Sequence, residues 1–262
     1  MAMYKTLLYE PADGVARVTL NQPERRNPFG FDTARELTAV LREASADKSV
    51  RVVTITGAGT AFSAGGDLDY MSKLMGQPSH VLANECLAYT DLFRLMREMD
   101  LPVVAAVNGP ALAGATGLVC ACDMAIASDK SSFGTVEITV GLFPMLIMPV
   151  VFRAVGRRHA LDMGLTGRIV PPQEAKEMGI VNKVVPHEKL SDEVDALVKQ
   201  LKGRSRVPLS WGKKALNFFE DMDIDRALAM AREVNATLLP TQDAREGMAA
   251  FLEKRKPVWK DA

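Results

Sequence analysis

The chain has 262 residues, 48% hydrophobic and 24% charged, enough to bury a sizeable core in one large domain or in a domain with an appendage. Lys plus Arg and Asp plus Glu each number 32, a balance that argues against nucleic acid or an anionic membrane as the main partner. The three cysteines (Cys86, Cys120, Cys122) lack metal-ligand spacing, and neither a signal-peptide core nor an apolar run near the ~20 residues of a membrane span is present, so the expectation is a cytoplasmic protein without a metal site.

Residues 4–10 and 15–20 alternate in hydropathy as two strands, joined by a hairpin turn at PADG, 11–14. Residues 31–46 form an amphipathic helix with Leu37, Val40, Leu41 and Ala44 on one face and Asp32 placed as its cap. A β-branched run at 51–56 reads as a buried strand, and a small-residue loop, AFSAGGDL at 61–68, follows it. A long helix over about 78–99 ends before Leu101 and Pro102. VVAAV at 103–107 is a second buried strand, and a second small-residue loop, NGPALAGATG at 108–117, comes next. A helix through Val119 and a short strand at 124–127 follow. Strands alternating with helices in this order imply parallel pairing and an α/β layered domain. From about residue 190 the pattern turns helical, at 190–202, 208–220, 223–238 and 241–254. The chain therefore divides into an α/β core over 1–190 and a helical region over 191–262. The helical region has little core of its own and is expected to cover another surface.

The two small-residue loops carry the chemistry. A strand, a tight loop of small residues and a helix start together present bare backbone N–H groups to a ligand. Two such loops point to a pair of converging donors, an oxyanion hole. Other chemistries lack their motifs: His80, His159 and His187 are scattered, no Ser sits in a nucleophile elbow, and GAG at 57–59 lacks dinucleotide-binding spacing.

Five collinear segments resemble the crotonase superfamily, the enoyl-CoA hydratase/isomerase family. They are NQPERRN at 21–27, TGAGTAFSAGGDL at 56–68, AAVNGPALAG at 105–114, FGTVE at 133–137 with VGL at 140–142, and EGMAAFLEKRKP at 246–257. The resemblance implies a crotonase-like spiral of ββα turns, an acyl-CoA substrate, no cofactor beyond the coenzyme A of that substrate, and a homotrimer or hexamer assembled through the helical C-terminal region. By position it implies backbone donors at Ala64 and Gly114. It also implies one acid/base carboxylate, Glu137, in an apolar surround of Phe133, Val136, Leu142 and Phe143 that raises its pKa.

The chain departs from the family pattern at Gly117, where two-glutamate hydratases carry their other carboxylate. Adding water benefits from two carboxylates, whereas moving one proton between carbons needs one. The expectation is double-bond isomerisation or hydration of an enoyl-CoA, with thioester hydrolysis, decarboxylation or a catalytically degenerate acyl-CoA-binding protein as alternatives. Further expected substrate contacts are Ala61, Phe62, Gly66, Asp67 and Leu68 in the first loop, then Gly117, Phe143 and Met145 around the acyl chain. Arg25 and Arg26 are expected at CoA phosphates, and Phe251 and Lys254 at CoA from a neighbouring tail. Asp67 doubles as a helix cap, and Asp123 has a similar fixing role.

Overall fold

The computed structural model describes residues 4–262. Strands β1 (Leu7–Ala12) and β2 (Val15–Leu20) pair antiparallel, closed by Asp13 and Gly14. Both turn residues have positive φ, 49° and 74°, and this left-handed pair matches the twist of the strands it joins. Helix α1 (Phe31–Ala46) leads to β3 (Val52–Gly57). Helices α2 (Leu68–Leu74) and α3 (Ser79–Glu98) precede β4 (Val103–Val107). After a short β5 (Ala111–Leu112) and α4 (Gly114–Ala121) come β6 (Met124–Ser128) and a short β7 (Phe133–Gly134). Helices α5 (Met148–Thr166) and α6 (Pro172–Met178) precede β8 (Lys183–Val185). The chain ends in α7 (Leu190–Lys202), α8 (Arg206–Phe219), α9 (Ile224–Leu238) and α10 (Gln242–Leu252).

The main sheet runs β1-β2-β3-β4-β6-β8, parallel throughout except for the β1–β2 hairpin. Its inner strands β3, β4 and β6 are mostly apolar on both faces because both are covered. Val53, Ile55, Val103, Ala105 and Val107 join the large core with Leu37 and Leu41 of α1 and Leu92 and Met96 of α3. The alternate positions Val52, Val104, Ala106 and Ile126 pack under Val194, Val198 and Leu201 of α7. The first helix of the C-terminal run thus seals the sheet, whereas α9 has no buried residue.

A second, smaller element positions the site. β5 and β7 pair parallel, Ser63 bridges Ala111 in parallel, and Phe133 bridges Val170 antiparallel. The first loop, the second loop and the segment before Glu137 therefore lie side by side. One cap differs from expectation: α1 begins at Phe31 with Gly30 at its N-cap, so Asp32 falls inside the first turn and pairs with Arg35 at 2.9 Å.

Candidate active site

The first small-residue loop is held from both sides. Asn27, buried and left-handed at φ 54°, accepts from the Gln22 amide at 2.9 Å and donates to the carbonyls of Ala58 (2.8 Å) and Ala61 (2.9 Å). Asn108 accepts from the Gly57 amide (3.2 Å) and donates to the Gly59 carbonyl (3.0 Å), tying the second loop to the first. Motif reading missed the clamping role of both asparagines, because the atoms they join are distant in sequence. Asn27→Ala is expected to cost about 2–4 kcal/mol, since it leaves buried backbone groups unpaired. A chemical-denaturation midpoint measures that loss.

These bonds decide which amides are free. The Ala64 N–H donates to the Arg26 carbonyl at 2.9 Å, so the expected donor at Ala64 is already spent. Among the described residues the amides of Gly66 and Gly114 have no acceptor. The Gly65 carbonyl accepts from the Phe29 amide at 2.7 Å, which fixes the peptide plane whose other end is the Gly66 N–H. The Ala113 carbonyl accepts from the Thr116 amide at 2.9 Å and fixes the Gly114 N–H in the same way. Ala113 itself adopts φ 49°, ψ −126°, a conformation disfavoured for any L side chain and often kept at functional sites. Gly114 is buried at the start of α4, and a buried helix start without acceptors calls for a ligand. A Cβ at Gly65 would touch that of Ala113 at 3.4 Å, so the two turns abut.

Glu137 lies in the first turn of a 3₁₀ helix, Val136–Val140, directly after β7. It is part-buried, its Oε2 is buried without a hydrogen-bond partner, and burial holds its carboxyl above the usual carboxylate range, offset only in part by its own amide. A buried, unsatisfied carboxylate is costly, and this makes Glu137 a candidate for a chemical role. The hydroxyl of Thr135, two residues earlier, is likewise buried and unpartnered.

At Gly117 there is no space for a second carboxylate. A Cβ there would meet Cβ and Cγ2 of Ile147 at 2.5 Å. Ile147 is 2% exposed and occupies the volume that such a side chain would need.

Other expected contacts divide. Phe62 and Ala61 point into the core, 0% and 3% exposed, so neither side chain reaches a ligand. Phe133 is also fully buried, whereas Leu142 is 43% exposed. Leu68 and Met145 stand exposed and are available to substrate, and Phe143 is half-buried against the Gly164 turn of α5. Asp67 caps α2 by accepting from the Tyr70 amide at 3.0 Å. Burial opposes its ionisation, yet the Tyr70 amide and the Arg25 guanidinium outweigh that and hold its carboxyl below the ordinary range. Arg25 pairs with Asp67 (3.0 Å) and Asp69 (3.1 Å), while Arg26 forms no ion pair among the described residues. Asp123 accepts from the Val103 amide (2.7 Å) and pairs with Lys213 (2.7 Å), locking β4 to α8. Phe251 lines a cavity with Pro208, Leu238 and Trp259, apart from the two small-residue loops. Lys254 stands exposed just beyond α10.

The sequence profile of the enoyl-CoA hydratase/isomerase family matches residues 10–262. The chain belongs to that family. A mitochondrial enoyl-CoA hydratase domain-containing protein 3 from Danio rerio is 35% identical over 254 residues, 96% of this chain and 86% of the relative. A crystal structure of a Mycobacterium smegmatis enoyl-CoA hydratase superposes with a TM-score of 0.91 at 33% identity, covering 97% of this chain and 99% of the other. The human enoyl-CoA hydratase domain-containing protein 3 gives 0.92 at 32% identity, covering 97% and 100%. The fold is the α/β crotonase architecture, and the chain is an enzyme of the enoyl-CoA hydratase/isomerase family. Among the described residues no helix is long and apolar enough to cross a membrane.

Proposed function

We propose that this family member acts on an enoyl-CoA thioester as a double-bond isomerase. In this reading the amides of Gly66 and Gly114 hold the thioester oxygen, and negative charge gathers there as a proton leaves the acyl chain. Each such donor is worth about 3–4 kcal/mol where one has been removed from comparable sites. Glu137 takes the proton from one carbon and returns it to another, so the base of the first step is the acid of the second. The observation that carries the reading is the filling of the Gly117 niche by Ile147, which leaves Glu137 without a carboxylate partner. Coenzyme A enters as part of the substrate, and no separate cofactor takes part.

Arg26, exposed and without an ion pair among the described residues, takes a CoA phosphate beside the first loop. Leu216, Ile224, Leu228, Phe251 and Leu252 of the C-terminal helices stand exposed, and an apolar face of that kind supports assembly as a homotrimer or hexamer. In such an assembly Phe251 and Lys254 reach a neighbour's CoA.

Rates on 3-enoyl-CoA and 2-enoyl-CoA thioesters, measured side by side, test the proposal. Isomerisation of the 3-enoyl substrate should exceed hydration of the 2-enoyl substrate by roughly tenfold or more. Faster hydration rejects the isomerase reading, and tight binding without either turnover rejects the enzymatic role.

A further inference from the structure

Tyr89 on α3 belongs to none of the motif segments, yet it packs against one half of the proposed oxyanion hole and is linked to the other through Phe29. Its ring is set edge-on against Phe29 (centroids 5.2 Å, 79°), Phe31 (5.5 Å, 87°) and Phe93 (5.9 Å, 68°), so three aromatic neighbours fix its orientation. Its hydroxyl donates a hydrogen bond to the Phe29 carbonyl. Among the described residues that carbonyl has no other donor. Phe29 in turn donates its amide to the Gly65 carbonyl at 2.7 Å, the far end of the peptide unit that carries the Gly66 N–H. On the other side, a Cβ at Gly114 would lie 2.7 Å from the Tyr89 oxygen and 3.1 Å from its Cε1, so the phenol rests against the Gly114 main chain.

We infer that Tyr89 is a positioning residue that holds the Gly66 and Gly114 amides in mutual register for thioester polarisation. The inference rests on the oxyanion reading above. Packing alone does not require the hydroxyl, because phenylalanine fills the same aromatic seat. What the oxygen adds is a bond to Phe29 and thereby a fixed direction for the Gly66 donor. Because the hydroxyl proton is committed to Phe29, Tyr89 contributes geometry and not proton transfer. Small errors in donor direction are expensive in a preorganised site, where a displacement near 1 Å costs on the order of 10²-fold in rate.

The test uses full-length protein and a chromophoric enoyl-CoA whose conjugated acyl group shifts to longer wavelength when its carbonyl is polarised. Tyr89→Phe should lower kcat by roughly 10- to 100-fold while KM stays within about twofold, and should abolish most of the shift seen with the wild type. Circular dichroism and the thermal midpoint establish that the variant is folded at the assay temperature. Phe93→Leu loosens the same ring but keeps the hydroxyl, and should retain the shift. A Tyr89→Phe variant with wild-type kcat and an unchanged shift overturns the inference while leaving the oxyanion reading intact. A Phe93→Leu variant that loses as much as Tyr89→Phe also overturns it, because general loosening would then be sufficient. Absence of any shift in the wild type overturns the oxyanion reading and this inference together.

Discussion

Replacing Glu137 with Gln is expected to lower kcat by roughly 10²–10⁴-fold while acyl-CoA affinity changes little. The substitution keeps size and shape and removes only the capacity to accept a proton, so the loss isolates proton transfer. In the wild type the group must be ionised to act as a base. Burial raises its pKa, so kcat/KM should rise with pH through an inflection above the usual carboxylate range. Gln abolishes that inflection. The stability effect has the opposite sense. A carboxyl whose folded-state pKa is raised stabilises the native state most when protonated, and that contribution fades as pH rises through the folded value. Glu137→Gln should therefore raise the thermal midpoint at neutral pH and leave it near the wild-type value in mild acid. Turnover near wild type in Glu137→Gln, measured at saturating substrate, removes this residue from the mechanism.

Gly117→Glu should misfold locally rather than create a hydratase. Its Cβ would overlap Ile147 at 2.5 Å, and the carboxylate would enter a volume now filled by an aliphatic side chain. Overpacking and a buried charge together should cost about 2–4 kcal/mol, visible in a denaturation curve. Coupling the change to Ile147→Ala opens that space. The double variant should recover much of the lost stability and raise hydration of a 2-enoyl-CoA by roughly 10²-fold over the wild type. An unchanged ratio of hydration to isomerisation in a folded double variant would show that a second carboxylate does not set the reaction.

The sequence reveals most of the secondary structure because local physics agrees with tertiary packing. The β-branched runs at β3 and β4 alternate between two covered faces, Asp13-Gly14 specifies its own turn, and Asp67 precedes a helix that it does cap. Asp32 resembles a cap equally well, but the chain enters α1 two residues earlier, through Gly30. Within α5, Gly156 departs from helical geometry at φ 73°, and such an interruption hides the helix from periodicity. Site residues were legible as segments and only partly as atoms. Whether Ala64 or Gly66 offers a free N–H depends on the carbonyl of Arg26, far back in the chain. Arg25 and Arg26 are adjacent and chemically alike, and only the placement of Asp67 and Asp69 separates their roles. Ile147 lies beyond every motif, yet it is the residue that closes the Gly117 niche.

The minor ribbon through Ser63, Ala111, Phe133 and Val170 has a consequence for how the protein is made. Each of its members arrives from a different stretch of the polypeptide, and the last to emerge from a ribosome is Val170. A nascent chain that ends just before it carries both glycine turns and the glutamate but lacks the last bridge of that ribbon. The ribbon is therefore complete only after much of the main sheet has been synthesised, and turnover is expected to report on completed folding.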